Sequence, residues 1–187
     1  DKQMPLLGDE EFWRVNAFDW GRAFAEIFAQ GGFDAVIGNP PYIRIQAMKE
    51  WASEQVDFYK ENYLSAQKGN YDIYVVFVEK ALSLLKAKGL LGFILPHKFF
   101  NAKYGAGLRK NLADGKHLSK IVHFGDQQVF ANATTYTCLL FLNGSGQKEF
   151  EFEKVDDLAA WQIAVAEQVS AEQNLGFLEK PGFSVSG

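Results

Sequence analysis

The residues best suited to chemistry in this sequence are Asn39-Pro40-Pro41-Tyr42, which directly follow a short apolar run. Proline has no backbone N–H and holds the residue before it in extended geometry, so this segment is predicted to be stiff. It offers the side-chain oxygen of Asn39, the carbonyl oxygen of Pro40 and the aromatic ring of Tyr42. Two hydrogen-bond acceptors beside a stacking surface suit an exocyclic amino group on a flat ring.

The surrounding apolar runs predict an α/β fold. Residues 35–37 and 90–95 are short apolar runs bounded by glycine or proline, which is typical of buried strands. Between them, apolar residues recur at helical spacing over residues 73–85, which predicts a helix with Asn70 as its N-cap and an end near Lys88. Strand, helix and strand in this order imply a right-handed crossover and a mostly parallel sheet.

Further elements are predicted on both sides of this unit. The polar stretch 47–62 indicates one or two exposed helices. Residues 121–124 and 136–142 are apolar runs that predict two more strands, and residues 150–153 alternate in the manner of an edge strand. Residues 156–171 predict a helix or a connector.

Composition and charge restrict the function classes. The chain has 187 residues, a net charge of −4 and a pI near 5.4, which argues against a general nucleic-acid binder. Basic residues concentrate between His97 and His123, where they can meet phosphates locally, although an ordinary solvated surface explains them equally well. The single cysteine, Cys138, lies in an apolar run and is predicted to be buried. No cysteine–histidine spacing suits zinc, so no metal site is expected.

The Asn39-Pro40-Pro41-Tyr42 segment at a strand end resembles the catalytic motif of amino-methyltransferases, above all the N6-adenine DNA methyltransferases of restriction–modification systems. With the flanking residues 18–34 and 37–43, the sequence resembles the Eco57I-type and TaqI-like group. The resemblance covers most of residues 15–145. It implies a partial Rossmann-like class I S-adenosylmethionine-dependent methyltransferase fold, with a mostly parallel sheet and an antiparallel hairpin strand.

The resemblance also implies roles for single residues. Asn39, Pro40, Pro41 and Tyr42 would be catalytic, and Tyr42 would stack on the target adenine opposite Phe130. Tyr71 and Asp72 match the segment that contributes to the S-adenosylmethionine pocket, and Lys98 and Lys103 would contact DNA phosphates. The TaqI-like pattern has basic residues directly after the stacking aromatic, whereas this chain has Ala131-Asn132-Ala133, so no phosphate contact is expected there.

The domain organisation follows from the same resemblance. Residues 1–32 are interpreted as a linker and lead-in helix, and residues 33–155 as the C-terminal half of a methyltransferase catalytic domain with an insert at 47–68. Residues 156–187 would connect to a DNA-recognition domain. Because no strand with a glycine-containing loop precedes Asp34, most of the cofactor pocket would lie in an upstream half, and we expect the chain to be a fragment that is inactive alone. A nuclease is often fused in such enzymes.

Expected partners are double-stranded DNA and the other parts of the same polypeptide. The absence of a membrane-length apolar run or signal-peptide pattern fits an intracellular compartment, and the resemblance implies the prokaryotic cytoplasm. Protein-glutamine or RNA amino-methylation is a chemical alternative, since glutamine methyltransferases share the motif. In a third interpretation the domain is a non-catalytic α/β interaction domain, in which the motif only ends a strand.

Overall fold

The computed structural model describes residues 18–130 and 135–174, with side chains as far as residue 170. Within these ranges the helices are α1 (Trp20–Ala23), α2 (Ala25–Ala29), α3 (Ile45–Lys49), α4 (Ser53–Asn62), α5 (Tyr74–Ser83), α6 (Ala106–Asp114) and α7 (Leu158–Asn174). The strands are β1 (Phe33–Gly38), β2 (Leu85–Pro96), β3 (Leu118–His123), β4 (Thr137–Asn143) and β5 (Glu151–Lys154). Short 3₁₀ turns occur at Leu64–Ala66, His97–Phe100 and Lys103–Gly105.

The five strands form one sheet in the order β1-β2-β4-β3-β5. β1 is parallel to β2, and β3 is parallel to β5, whereas β4 is antiparallel to both β2 and β3. Four strands therefore run in one direction and β4 runs against them. This confirms the predicted fold class, a mostly parallel sheet with an antiparallel strand.

The boundaries of α5 and β2 differ from the prediction. The helix ends at Ser83 and the strand already begins at Leu85, so Lys86 and Lys88 lie in β2 and not in the last helical turn. Pairing with β1 decides this, because Phe33 lies opposite Leu85 and donates its N–H to the Leu84 carbonyl at 2.9 Å. Long-range pairing thus overrides a local pattern that is typical of a helix end.

The start of α5 also differs. The helix begins at Tyr74, and its cap position, Ile73, makes no side-chain capping hydrogen bond, so the prediction of Asn70 as N-cap is wrong. The backbone just before the helix pairs with another segment, since Ile73 donates to the Ile43 carbonyl at 2.8 Å and Ile45 donates to the Tyr71 carbonyl at 2.9 Å. This pairing fixes the helix start.

The main hydrophobic core lies between one face of the sheet and helices α5 and α6. Alternate residues of the central strands point into it, because side chains along a strand alternate between faces. Cys138 is fully buried in this core, as predicted. The residues of β2 and β4 that share this face are Leu91, Phe93, Leu95, Cys138, Leu140 and Leu142.

A smaller cluster covers part of the opposite face. Val122, Phe124 and Val155 form its centre, and Trp161 of α7 packs against it. Among the described helices, none combines the length and the apolar character needed to cross a bilayer.

Candidate active site at the end of strand β1

Strand β1 leaves the sheet at Gly38 and delivers Asn39 to the surface. Asn39 is exposed, whereas Pro40 is buried and Pro41 and Tyr42 are half-buried. Proline cannot continue a sheet ladder, which is why the strand ends here. No donor from the described residues makes a hydrogen bond to the Pro40 carbonyl. The segment therefore presents an exposed amide next to an unused backbone acceptor.

The Tyr42 hydroxyl lies against this amide. It donates to Asn39 Oδ1 at 2.6 Å and is 3.1 Å from the Ile94 carbonyl oxygen of β2. The Tyr42 ring meets Tyr74 edge-on, with ring centroids 6.3 Å apart and an angle of 83° between the planes. Burial, with a smaller contribution from Cys138, raises the pKa of Tyr42 to about 12. The Tyr42 hydroxyl therefore stays protonated at neutral pH and can donate a hydrogen bond.

The chain after the motif is fixed to the start of α5. Arg44 and Asp72 form an isolated antiparallel bridge, which consists of the two backbone hydrogen bonds described above for Ile43 and Ile45. Below this bridge the Tyr74 and Tyr104 hydroxyls are 2.9 Å apart, and Tyr104 donates weakly to Asp72 at 3.4 Å. Burial is the largest cause of the raised pKa of Tyr74. The motif therefore rests on a packed support.

The two residues predicted to contact the cofactor have different surroundings. Asp72 is half-buried and adjoins the motif through the bridge. Tyr71 is only 3 % exposed, its hydroxyl is buried without a hydrogen-bond partner among the described residues, and burial raises its pKa to about 12. Only Asp72 is accessible to a ligand through its side chain.

The ends of β2 and β3 carry basic and aromatic side chains at the same edge of the sheet. Lys98 and Lys103 are exposed and form no ion pair with any described residue. The rings of His97 and His123 stack with centroids 4.4 Å apart, and burial, followed by repulsion from His123, lowers the pKa of His97. Arg109 instead donates to two loop carbonyls and stabilises the loop locally.

Phe130 lies in the connection between β3 and β4 and is half-buried. Its ring pairs with no other aromatic side chain in residues 18–130 or 135–170. The neighbouring Val129 packs on the cluster around Val122. Residues 131–133, for which no phosphate contact was expected, lie outside the described residues.

Comparison with known proteins identifies the family of this chain. Residues 6–130 match the model of the Eco57I restriction-modification methylase family. The chain belongs to this family. It is 41% identical over 152 residues to the type II restriction enzyme and methyltransferase RM.Eco57I of Escherichia coli. The aligned segment covers 81% of this chain and 14% of that protein. The chain thus spans about one seventh of the length of this relative.

Two solved structures share the fold at low identity. The type IIL restriction-modification enzyme MmeI, solved in complex with DNA, gives a TM-score of 0.56 at 14% identity over 75% of this chain and 19% of that one. A Listeria monocytogenes protein described as a class I S-adenosylmethionine-dependent methyltransferase gives a TM-score of 0.52 at 19% identity. The match covers 73% of this chain and 42% of that one. The fold is that of class I S-adenosylmethionine-dependent methyltransferases.

Some residues of this Eco57I-family site were not identified from the sequence. The Ile94 carbonyl, Tyr74 and Tyr104 contact the motif or its support, yet they lie 32 to 62 positions away along the chain from Tyr42. Tyr74 falls in a helical apolar pattern, which indicates only that it is buried. Nothing in that pattern distinguishes a ring that supports the motif from any other core residue.

Proposed function

We propose that this chain carries the substrate-amine part of the active site of an adenine-N6 DNA methyltransferase in a restriction–modification enzyme. The observation that supports this most strongly is the strand end itself. Asn39 is exposed, its oxygen is held by Tyr42, and the Pro40 carbonyl accepts no hydrogen bond from the described residues. A scaffold that used the motif only to end a strand would have no need for this pair of acceptors.

The proposed mechanism begins with the amino group of adenine, whose lone pair is delocalised into the ring. Asn39 Oδ1 and the Pro40 carbonyl each accept a hydrogen bond from one of its N–H groups, which draws the nitrogen toward a tetrahedral geometry and withdraws its lone pair from conjugation with the ring. The same two oxygen dipoles face the positive charge that develops on the nitrogen, so no strong base is needed before methyl transfer. S-adenosylmethionine would supply the electrophilic methyl group and would leave as the neutral thioether, and the methylated nitrogen would then lose one proton to water.

The target base would have to leave the duplex to reach this site, at a cost of a few kcal/mol of unstacking. Stacking on Tyr42, and on Phe130 if its ring faces the same space, would return about 1–3 kcal/mol per ring. Lys98 and Lys103 are exposed at the same edge of the sheet and form no ion pair with the described residues, so they are our candidates for phosphate contacts along double-stranded DNA.

The chain fits the cofactor only in part. Asp72 would hold a polar group of S-adenosylmethionine, whereas the buried Tyr71 would contribute packing. Because the chain spans 14% of RM.Eco57I, we propose that an upstream half of the polypeptide supplies the rest of the pocket and that the chain alone does not transfer methyl groups. DNA-recognition and nuclease domains of the same polypeptide are the other proposed partners.

The test is Asn39→Ala in the full polypeptide that carries this chain, with Asn101→Ala as the matched control because Asn101 is an exposed asparagine outside the motif. Loss of one preorganised polar partner is expected to slow adenine methylation by about 100- to 1000-fold. Binding of DNA and of S-adenosylmethionine should stay within about twofold, and Asn101→Ala should keep its rate. Full methylation by Asn39→Ala would exclude the proposed mechanism.

A further inference from the structure

The Tyr42 hydroxyl has two oxygen neighbours but only one proton to donate. Asn39 Oδ1 lies at 2.6 Å and the Ile94 carbonyl at 3.1 Å. The first distance is typical of an O–H···O hydrogen bond and shorter than an ordinary N–H···O contact. The amide atom next to the hydroxyl is therefore the oxygen, and the proton belongs mainly to this bond.

The identity of that atom matters for the reaction. An asparagine amide presents an acceptor at one end and an NH₂ donor at the other, and the two ends have nearly the same shape. An amino substrate must meet the acceptor end of the amide. If the NH₂ end took that place, the N–H donors of Asn39 would face the N–H donors of the substrate. The oxygen of Asn39 has two lone pairs, so the bond from Tyr42 leaves one free for the substrate.

We propose that the Tyr42 hydroxyl is a positioning group that selects which end of the Asn39 amide faces the substrate amine. This inference rests on the function proposed above and assigns to Tyr42 a role beyond stacking. The Asn39 side chain is exposed, and no other described residue makes a hydrogen bond to it. Without the hydroxyl, only water would distinguish its two ends.

The surroundings keep the hydroxyl in place. The Ile94 carbonyl belongs to the central strand β2 and is a second acceptor within reach of the same proton, so the hydroxyl lies against the sheet while it donates to Asn39. Tyr74, which is fully buried, meets the Tyr42 ring edge-on and limits its rotation. The raised pKa of Tyr42 means that the group remains a donor over the neutral range.

The experiment compares Tyr42→Phe with Tyr59→Phe in the full polypeptide. Tyr59 is a half-buried tyrosine of α4 whose hydroxyl makes no hydrogen bond with the described residues, so its substitution controls for the loss of a phenol. Two quantities are measured with S-adenosylmethionine in excess. One is the single-turnover methylation rate, and the other is the affinity for DNA with 2-aminopurine at the target position, together with its fluorescence change.

Tyr42→Phe should slow the single-turnover rate by about three- to tenfold, the effect expected for one hydrogen bond between neutral groups. The ring is retained, so the 2-aminopurine signal and the DNA affinity should stay within about twofold of the unsubstituted protein. Tyr59→Phe should keep both quantities. A thermal unfolding midpoint for Tyr42→Phe equal to that of the control shows that the fold is intact.

Two results would overturn the inference. One is a full single-turnover rate in Tyr42→Phe, and the other is a parallel loss of rate and base capture, which would mean that the hydroxyl supports the ring or the fold and not the amide. Asn39→Ala separates this failure from failure of the proposed function. If Asn39→Ala is inactive while Tyr42→Phe is fully active, only the positioning role is wrong, whereas an active Asn39→Ala excludes the methyl-transfer mechanism itself.

Discussion

One face of the β-sheet is packed and the other is only partly covered. On the packed face, Leu91 of β2 is 1 % exposed beneath helices α5 and α6. On the other face, its neighbour Leu90 is 53 % exposed and Ile37 of β1 is 87 % exposed. The Phe141 ring lies over Gly92 on this face, and the cluster around Trp161 covers only the part near β3 and β5.

The difference explains where the candidate site gains its rigidity. The Tyr42 ring of the motif contacts Tyr74, which lies within the packed face, so Asn39 is connected to the packed side of the sheet. β1 pairs with no second strand among the described residues. Its Ile37 is 87 % exposed, whereas its Phe33 contacts Trp20 of α1 and Phe28 of α2. An open apolar face of this kind marks an interaction surface, which agrees with the proposal that further parts of the polypeptide complete the domain.

The largest effect should come from truncating the packed face. Leu91→Ala is expected to lower the free energy of unfolding of the 187-residue chain by about 2–5 kcal/mol, because it leaves a cavity under α5. Leu90→Ala removes the same atoms from the exposed face and should cost less than about 1 kcal/mol. Urea denaturation of both variants measures the difference. Equal costs would mean that the two faces are covered alike.

Helix α7 contributes Trp161 to the cluster on the partly covered face of the sheet. Trp161 donates its indole N–H to Glu153 at 2.6 Å and meets Phe124 edge-on with centroids 5.3 Å apart. Trp161→Phe should lower the free energy of unfolding by about 1–2 kcal/mol, since it removes this hydrogen bond and part of the ring contact. Urea denaturation followed by circular dichroism measures it.

Trp51→Phe is the matched control for that substitution. Trp51 is 66 % exposed on the surface after α3, so its replacement should change the free energy of unfolding by less than about 0.5 kcal/mol. A cost for Trp161→Phe no greater than that of Trp51→Phe would show that α7 does not stabilise the sheet.

The sequence was most informative about the end of β1. The apolar run and the proline pair predicted that a strand ends just before Asn39, because these features depend on local sterics. The expectation that residues 35–37 form a buried strand is wrong, since Ile37 is 87 % exposed at the edge of the sheet. The end of α5 was not predictable, since the pairing of Phe33 with Leu85 determines it. The support from Tyr74 and the Ile94 carbonyl likewise arises from tertiary packing, which leaves no local signal in the sequence.

The last expected effect is a loss of stability in alkali. Tyr42, Tyr63 and Tyr71 all pack on the face under α5 and α6, and burial, as the largest cause, raises the pKa of each to about 12 from an ordinary value near 10. Below pH 10 these phenols are protonated in both the folded and the unfolded chain. Between pH 10 and pH 12 the unfolded chain loses their protons while the folded chain keeps them, so stability should fall as the pH rises.

Tyrosinate absorbance in the ultraviolet, recorded from pH 9 to pH 12 on the folded chain, measures this ionisation directly. We expect a fraction of the tyrosines to ionise late, and Tyr42→Phe to remove one phenol from that fraction while leaving the early part of the curve unchanged. If all tyrosines of the folded chain ionise together near pH 10, then the packed face does not shield them. In that case the Tyr42 hydroxyl would be as open to water as the Asn39 amide, and the rigidity inferred for the site would have no basis in packing.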